Sequence, residues 1–179
     1  RSAYILDDIT PLRAMAREYD AITSSVIYAF EPPVAYLAQT KNAPGYYFSG
    51  DAYYEGENRP WGGRISYYAS VNEDEAKKDS VCIRISDEEG KVIRTIKSVP
   101  ENGLNRSLWY LDRKGVRVSF TAKKARERNR ESGGGGLVLP GSYNLQLSYK
   151  GDTVTTSMKV EADPRREYDL AGLRGAPHY

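Results

Sequence analysis

The sequence predicts an all-β fold, a β-sandwich with a short N-terminal helix, and three observations favour it. Apolar and polar residues alternate over residues 80–86 and 142–149, which is the pattern of half-buried strands. Tight-turn residues follow both stretches, at 87–90 and 150–152, so each stretch is expected to open a β-hairpin. Tyrosine, which favours strands, accounts for 15 of the 179 residues.

The helix is expected from about Pro11 to Tyr19. Thr10 is a suitable cap, Pro11 fits the first turn, and Leu12, Met15 and Ala16 share one face. Short strands are predicted over residues 25–30, 34–40, 46–48, 64–70, 80–86, 92–96, 103–111, 116–120, 142–149 and 153–160. Short strands at this spacing, separated by turn residues, are typical of a sandwich.

The chain divides into three parts by composition. Residues 1–55 carry the helix and short strands that pack on the sandwich, residues 56–164 form the sandwich, and residues 165–179 form a polar C-terminal tail. A flexible insertion is expected over residues 121–136. It holds five basic and two acidic residues between positions 123 and 131, followed by four consecutive glycines.

Charge and hydropathy argue against two classes of partner. The net charge of +2 arises largely from that insertion, which lacks the interleaved aromatic residues that would stack on bases, so we expect no nucleic-acid partner. No apolar run approaches the roughly 20 residues that a membrane helix needs, so we expect no membrane span. The chain starts at Arg1 without a leader pattern, and we interpret it as a fragment of a longer protein.

No catalytic or metal site is predicted. His178, the only histidine, is in the polar tail, where it cannot serve as a positioned base. Cys82, the only cysteine, falls within an alternating strand pattern and is interpreted as a small packing residue. The acidic residues between Asp51 and Glu57 lack the regular spacing of a calcium loop. We therefore expect a protein that is not an enzyme and that binds no cofactor or metal.

Aromatic residues between positions 46 and 61 are the strongest candidates for ligand binding. Within this group Tyr53, Tyr54 and Trp61 are the predicted binding residues, because exposed tyrosine and tryptophan stack on sugar rings or anchor a protein interface. The other interpretation is that these rings cover the sandwich or pack against a neighbouring domain, which is the usual role of aromatic residues in strands.

Several stretches resemble a known family. They are GENRPWGGRISYY (56–68), VCIRISDEEGKVIRTI (81–96), GLNRSLWYL (103–111) and LVLPGSYNLQLSY (137–149), together with LDDITPLR (6–13) and FEPP (30–33). Their order resembles the Ig-like domain of the flagellar hook-capping protein FlgD. It resembles more closely the sandwich that follows the β-propeller in bacterial sortilin-like, BNR-repeat proteins, often labelled glycosyl hydrolases. The chain departs from that family in its basic, glycine-rich insertion and in Trp61-Gly62.

The resemblance implies both a fold, an Ig-like β-sandwich, and a function. The chain would be a non-catalytic structural or interaction module, C-terminal to a β-propeller that is its main partner, in a secreted, periplasmic or cell-surface protein. We expect a monomer, with a glycan or a cell-surface protein as a further candidate partner. Two alternatives stay open: a carbohydrate-binding accessory domain of a polysaccharide-degrading enzyme, and an autonomous hydrolase with converging acidic residues in a cleft.

Overall fold

A computed structural model describes residues 6, 8–38, 60–72, 79–115 and 135–165. The described chain is mostly β, with two sheets and one short helix, so the all-β prediction is confirmed at this level. The elements are α1 (Thr10–Thr23), β1 (Ile27–Ala29), β2 (Ala35–Tyr36), β3 (Gly63–Ala69), β4 (Val81–Ser86), β5 (Val92–Ser98), β6 (Gly103–Trp109), β7 (Gly141–Tyr149) and β8 (Asp152–Glu161).

The helix α1 starts and ends differently from the prediction. Thr10 was expected to cap the helix, but it is the first helical residue, and its N–H donates to Asp8 Oδ1 at 3.0 Å. The carboxylate two residues upstream thus takes the role predicted for the Thr10 hydroxyl. The helix also continues past Tyr19 to Thr23, with irregular torsion angles at Glu18 (φ −130°, ψ 36°).

Two sheets organise the strands. The three-stranded sheet has the order β1-β3-β6, and both of its pairs are antiparallel. The five-stranded sheet has the order β2-β8-β7-β4-β5, in which only the β2–β8 pair is parallel. The short strands near the N-terminus join different sheets, since β1 extends one and β2 extends the other. The segment from 27 to 36 thus supplies one short strand to each sheet.

The buried side chains of the two sheets form one hydrophobic cluster. Ile65 and Tyr67 belong to β3, while Ile83 on β4 and Leu145 and Leu147 on β7 belong to the five-stranded sheet. The alternation predicted for β4 and β7 is confirmed, because every second residue there is buried. These positions were predictable because one face of each strand meets the core and the other meets solvent.

Strand β3 is the exception, because both of its faces are largely buried. Arg64 and Ser66 are buried as fully as the apolar residues between and beside them. The helix α1 contacts β3, in agreement with burial on both of its faces. The Ser66 hydroxyl accepts a hydrogen bond from Arg106 Nε on β6 at 3.3 Å. A strand covered on both sides does not show a simple two-residue period.

Both predicted hairpins are confirmed. The β4–β5 hairpin turns at Gly90, which has φ +81°, and its register shifts between Ile85 and Ser86. The β7–β8 hairpin turns through Lys150 (φ +50°) and Gly151 (φ +94°). Two successive residues with positive φ match the type I′ turn, whose twist suits a two-residue hairpin.

The segment after β6 anchors the core. The predicted strand 103–111 ends at Trp109, and Leu111 takes a left-handed conformation with φ +51°. The fully buried Trp109 ring meets the Tyr143 ring edge-on at 5.3 Å, and its indole N–H donates to the Asp112 carbonyl at 3.0 Å. The Tyr143 hydroxyl donates to the Leu139 carbonyl at 2.6 Å, which ties the start of β7 to the preceding loop. The strands predicted at 46–48 and 116–120, and most of the 121–136 insertion, lie outside the described residues.

The Tyr143 hydroxyl provides a stability prediction. Replacing Tyr143 with phenylalanine removes its hydrogen bond to Leu139 and keeps the ring against Trp109, so we expect a loss of about 1 kcal/mol in the free energy of unfolding. Urea unfolding followed by tryptophan fluorescence measures it. The exposed Tyr19 is the control, because Tyr19→Phe should leave stability unchanged. Equal stability of the Tyr143 variant and the wild type would contradict the structural role of this bond.

Candidate functional site

Of the three predicted binding residues, only Trp61 lies within the described chain. Tyr53 and Tyr54 fall outside it, so their stacking role stays a prediction. Trp61 is half-buried and packs against the hydrophobic cluster. Its indole Nε1 is buried without a hydrogen-bond partner among the described residues. The structure thus packs part of Trp61 against the core, and its binding role stays a prediction together with those of Tyr53 and Tyr54.

Gly62 explains why Trp61 sits so close to the core. Gly62 has φ +128°, and a Cβ atom there would come within 2.5 Å of the Trp109 carbonyl oxygen. The backbone before β3 thus lies in close contact with the end of β6. This position also holds the neighbouring Trp61 side chain near the core. A residue with a Cβ atom could not hold this path, because both the torsion angle and the contact exclude it.

Among the titratable groups of the described chain, no set of three or more His, Cys, Asp or Glu side chains could hold a metal ion. Cys82 lies half-buried on β4 as a free thiol. Glu161 hydrogen-bonds Lys159 with Nζ and Oε1 2.8 Å apart, and this raises the pKa of Lys159. The pair is solvent-exposed, and pairs of this kind contribute little to stability.

A second ion pair links β5 to the segment that follows β6. Arg94 Nε on β5 lies 3.6 Å from Asp112 Oδ1, and both side chains are mostly buried. The Lys114 N–H donates to the Ile93 carbonyl at 2.8 Å, so the segment after Asp112 is also fixed to β5 through the backbone. These contacts join the end of β6 to the edge of the five-stranded sheet, and they are consistent with an architectural role.

The helix α1 presents an exposed apolar surface. Ile9, Leu12, Ala16 and Tyr19, spaced by three, four and three residues, are all exposed; we call them the helix stripe. Leu12 and Ala16, four residues apart, lie along one side of the helix, while Ile9 precedes its first turn and Tyr19 follows the irregular residue Glu18. Leu12 is 47% exposed and Tyr19 is 60% exposed. Exposed apolar side chains on one element are typical of a contact site for another protein or domain.

Other residues of α1 are covered by the protein. Pro11 and Ile22 are buried, and Met15 is half-buried. The sequence placed Leu12, Met15 and Ala16 on one apolar face, but the structure divides that face between the interior and solvent. The hydrophobic spacing was therefore a valid signal for an amphipathic helix, yet it could not show which apolar residues the sheets would cover.

A polar groove lies along β8. Thr155, Thr156 and Ser157 line it, together with Asn144 of β7 and the exposed Glu31. Its lining offers hydroxyl, amide and carboxylate groups without a histidine, a cysteine or a second acidic residue. The sequence did not point to this groove, because a run of threonine and serine in a strand has the pattern of an ordinary solvent-exposed face.

Comparisons with protein-family models, curated proteins and solved structures find no match for this chain. The family resemblance of the sequence therefore stays an expectation. Within the described residues, no helix has the length and hydropathy needed to cross a bilayer, in agreement with the prediction that the chain has no membrane span.

Proposed function

We propose that this chain is an Ig-like β-sandwich that serves as a non-catalytic structural or interaction module. Its partner is a β-propeller that precedes it in an exported bacterial protein. The exposed apolar helix stripe, near the N-terminal end of the described residues, is the observation that carries this function. The contact between the two domains is made by this stripe, and it fixes the sandwich against the propeller.

Strand order supports the Ig-like assignment. In immunoglobulin domains the strands divide between a sheet built around A, B and E and a sheet built around G, F and C. If β1 and β2 are a split strand A, and β3 to β8 are B, C, C′, E, F and G, the sheets become A-B-E and A′-G-F-C-C′. Both the division of the strands and their order then agree with that architecture.

The Tyr143 hydroxyl gives a second line of support. Many Ig-like sandwiches carry a tyrosine near the start of strand F whose hydroxyl bonds to the backbone a few residues upstream. Tyr143 is the third residue of β7, and it donates to the carbonyl of Leu139, four residues earlier. The chain differs from antibody domains in having no cysteine pair and in placing its core tryptophan on β6.

The helix stripe supports a docking role through its energetics. Burial of apolar surface contributes about 25 cal/mol per Å², so covering several large side chains stabilises an interface by a few kcal/mol. The stripe belongs to the first element of the described chain, which places it near any domain that precedes it in sequence. A short, firmly packed connection of this kind would brace one domain against the next.

Binding between the separated domains tests the proposal. The coding sequence upstream of Arg1 should contain propeller repeats. The propeller and this chain, produced separately, should associate in isothermal titration calorimetry. The double variant Leu12→Ser, Tyr19→Ser should weaken binding by about tenfold or more, because interface energy concentrates in large apolar and aromatic side chains.

Val99 provides the matched control, since it is 66% exposed and lies in the connection between β5 and β6. Val99→Ser should leave the affinity unchanged. An upstream sequence without propeller repeats would contradict the proposal, and so would equal binding by the double variant and the wild type. Turnover of chromogenic glycosides by this chain alone would contradict its non-catalytic role.

A further inference from the structure

The polar groove along β8 is bordered on one side by Glu31, whose position is fixed by its neighbours. Phe30 and Pro32, the residues on either side of it, are buried. The Phe30 N–H donates to the Ser66 carbonyl at 3.1 Å, and Pro32 and Pro33 restrict the backbone that follows. The exposed Glu31 carboxylate is therefore held in place where it lines the groove.

Two paired strands supply the other side of the groove. Asn144 of β7 is the register partner of Ser157 of β8, so their side chains lie next to each other on the solvent face of the sheet. Thr155, two residues before Ser157, points to the same face. All three side chains are exposed and line the groove.

The groove offers polar groups that the protein does not use itself. Within the described chain, the side chains of Glu31, Asn144, Thr155 and Ser157 make no hydrogen bond or ion pair. They supply a carboxylate with two acceptor oxygens, an amide that both donates and accepts, and two hydroxyl groups. One carboxylate among neutral groups repels an anion and provides too few oxygens for a calcium ion. The lining is therefore matched best by a neutral ligand with many hydroxyl groups.

An exposed aromatic ring lies further along the same face. Tyr36 is 45% exposed and is the register partner of Glu161 in the parallel β2–β8 pair, so both side chains point to the same side. Glu161, Lys159 and Ser157 are alternate residues of β8 on that side, which places Tyr36 about 13 Å along the strand from Ser157. The Lys159–Glu161 ion pair leaves the surface between them without net charge.

We propose that the surface from Glu31 to Tyr36 on the five-stranded sheet binds a neutral oligosaccharide. The Glu31 carboxylate accepts hydrogen bonds from two adjacent hydroxyl groups of one sugar, and Asn144 and Ser157 bond to that sugar from the facing strands. The Tyr36 ring stacks on a sugar further along the ligand. The groove volume of about 640 Å³ lies within the range of small-ligand sites.

This site differs from both surfaces considered above. The sequence predicted ligand contact at Tyr53, Tyr54 and Trp61, none of which lines the groove. The proposed propeller contact uses side chains of α1, whereas the sugar site uses β2, β7, β8 and Glu31. Failure of either proposal therefore leaves the other intact.

Titration of the full chain, followed by amide ¹H–¹⁵N NMR, tests the site. The probes are neutral tetrasaccharides of glucose, mannose, xylose, galactose and N-acetylglucosamine, added up to about 10 mM. At least one probe should shift the amide signals of Glu31, Asn144 and Ser157. An absence of shifts with all five probes would overturn the proposal. Shifts confined to the surroundings of Trp61, or the same shifts produced by calcium chloride without sugar, would also overturn it.

Variants then assign the contacts, with affinity measured for the probe that shifts the groove signals most. Glu31→Gln keeps the size of the side chain and loses its charge, so the dissociation constant should rise by about tenfold. Asn144→Ala and Tyr36→Ala should each weaken binding by about threefold or more. Thr153→Ala is the matched control, because Thr153 is exposed on the same face of β8 but does not line the groove. Circular dichroism checks the folding of each variant. Equal affinity of Glu31→Gln and the wild type, or an equal loss with Thr153→Ala, would contradict the assignment.

Discussion

Replacing Gly62 with alanine should reduce the free energy of unfolding by about 3 kcal/mol or more. The φ angle of +128° is strained for any residue with a Cβ atom, at a cost of about 1 to 3 kcal/mol. The new methyl group would also lie 2.5 Å from the Trp109 carbonyl oxygen. That atom belongs to the backbone, so it cannot move aside without displacing the β3–β6 pairing. Urea unfolding followed by tryptophan fluorescence measures the loss.

Gly90 separates the two contributions. It has φ +81° in the β4–β5 turn, and a Cβ atom there would meet nothing within 4 Å. Gly90→Ala should therefore show only the cost of the torsion angle, about 1 kcal/mol. If Gly62→Ala were no more destabilising than Gly90→Ala, the close approach between Gly62 and Trp109 would not exist in solution.

Replacing Trp109 with alanine is expected to destabilise the protein by about 3 to 5 kcal/mol. Its side chain is fully buried, so truncation leaves a large cavity between the sheets. The contact with the Tyr143 ring is lost, and the Asp112 carbonyl loses its hydrogen-bond donor. Since a domain of this size has a total stability of about 5 to 15 kcal/mol, the variant should be partly unfolded at moderate temperature. Circular dichroism during thermal unfolding measures the change.

Two further substitutions define the cause of that loss. Tyr110 follows Trp109 directly but is 58% exposed, so Tyr110→Ala should change stability by no more than about 0.5 kcal/mol. Trp109→Phe keeps an aromatic ring in the core and loses the bond to Asp112. Its loss of stability should therefore lie between those of Trp109→Ala and Tyr110→Ala. Similar stability of the alanine variants at positions 109 and 110 would show that Trp109 does not anchor the core.

The strands that the sequence predicts best are those with one covered face. The alternation in β4 and β7 follows from burial on one side only, and the turns at Gly90 and Gly151 have local sequence signals. Strand β3 is harder to interpret because both of its faces are largely buried, and such burial does not give a two-residue period in the sequence. The end of β6 was placed two residues late, since nothing local shows that Leu111 leaves the extended conformation.

The candidate sites were less accessible to sequence reasoning than the fold. The aromatic group between positions 46 and 61 predicts ligand contact, and the sequence did not show that part of Trp61 packs against the core. Its binding role stays a prediction. The exposure of Leu12 depends on which side of α1 packs against the rest of the protein, and helical spacing alone does not determine that side.

The parallel pairing of β2 with β8 also determines how the molecule carries mechanical load. β2 lies near the N-terminal end of the described chain and β8 near its C-terminal end. Tension applied across the chain pulls these two strands in opposite directions along their length, which loads their shared hydrogen bonds in shear. Bonds loaded in this way must break together, whereas a hairpin pulled from its open end separates one bond at a time. We therefore expect the few bonds between β2 and β8, such as that from the Leu37 N–H to the Glu161 carbonyl, to resist separation of these two strands under force.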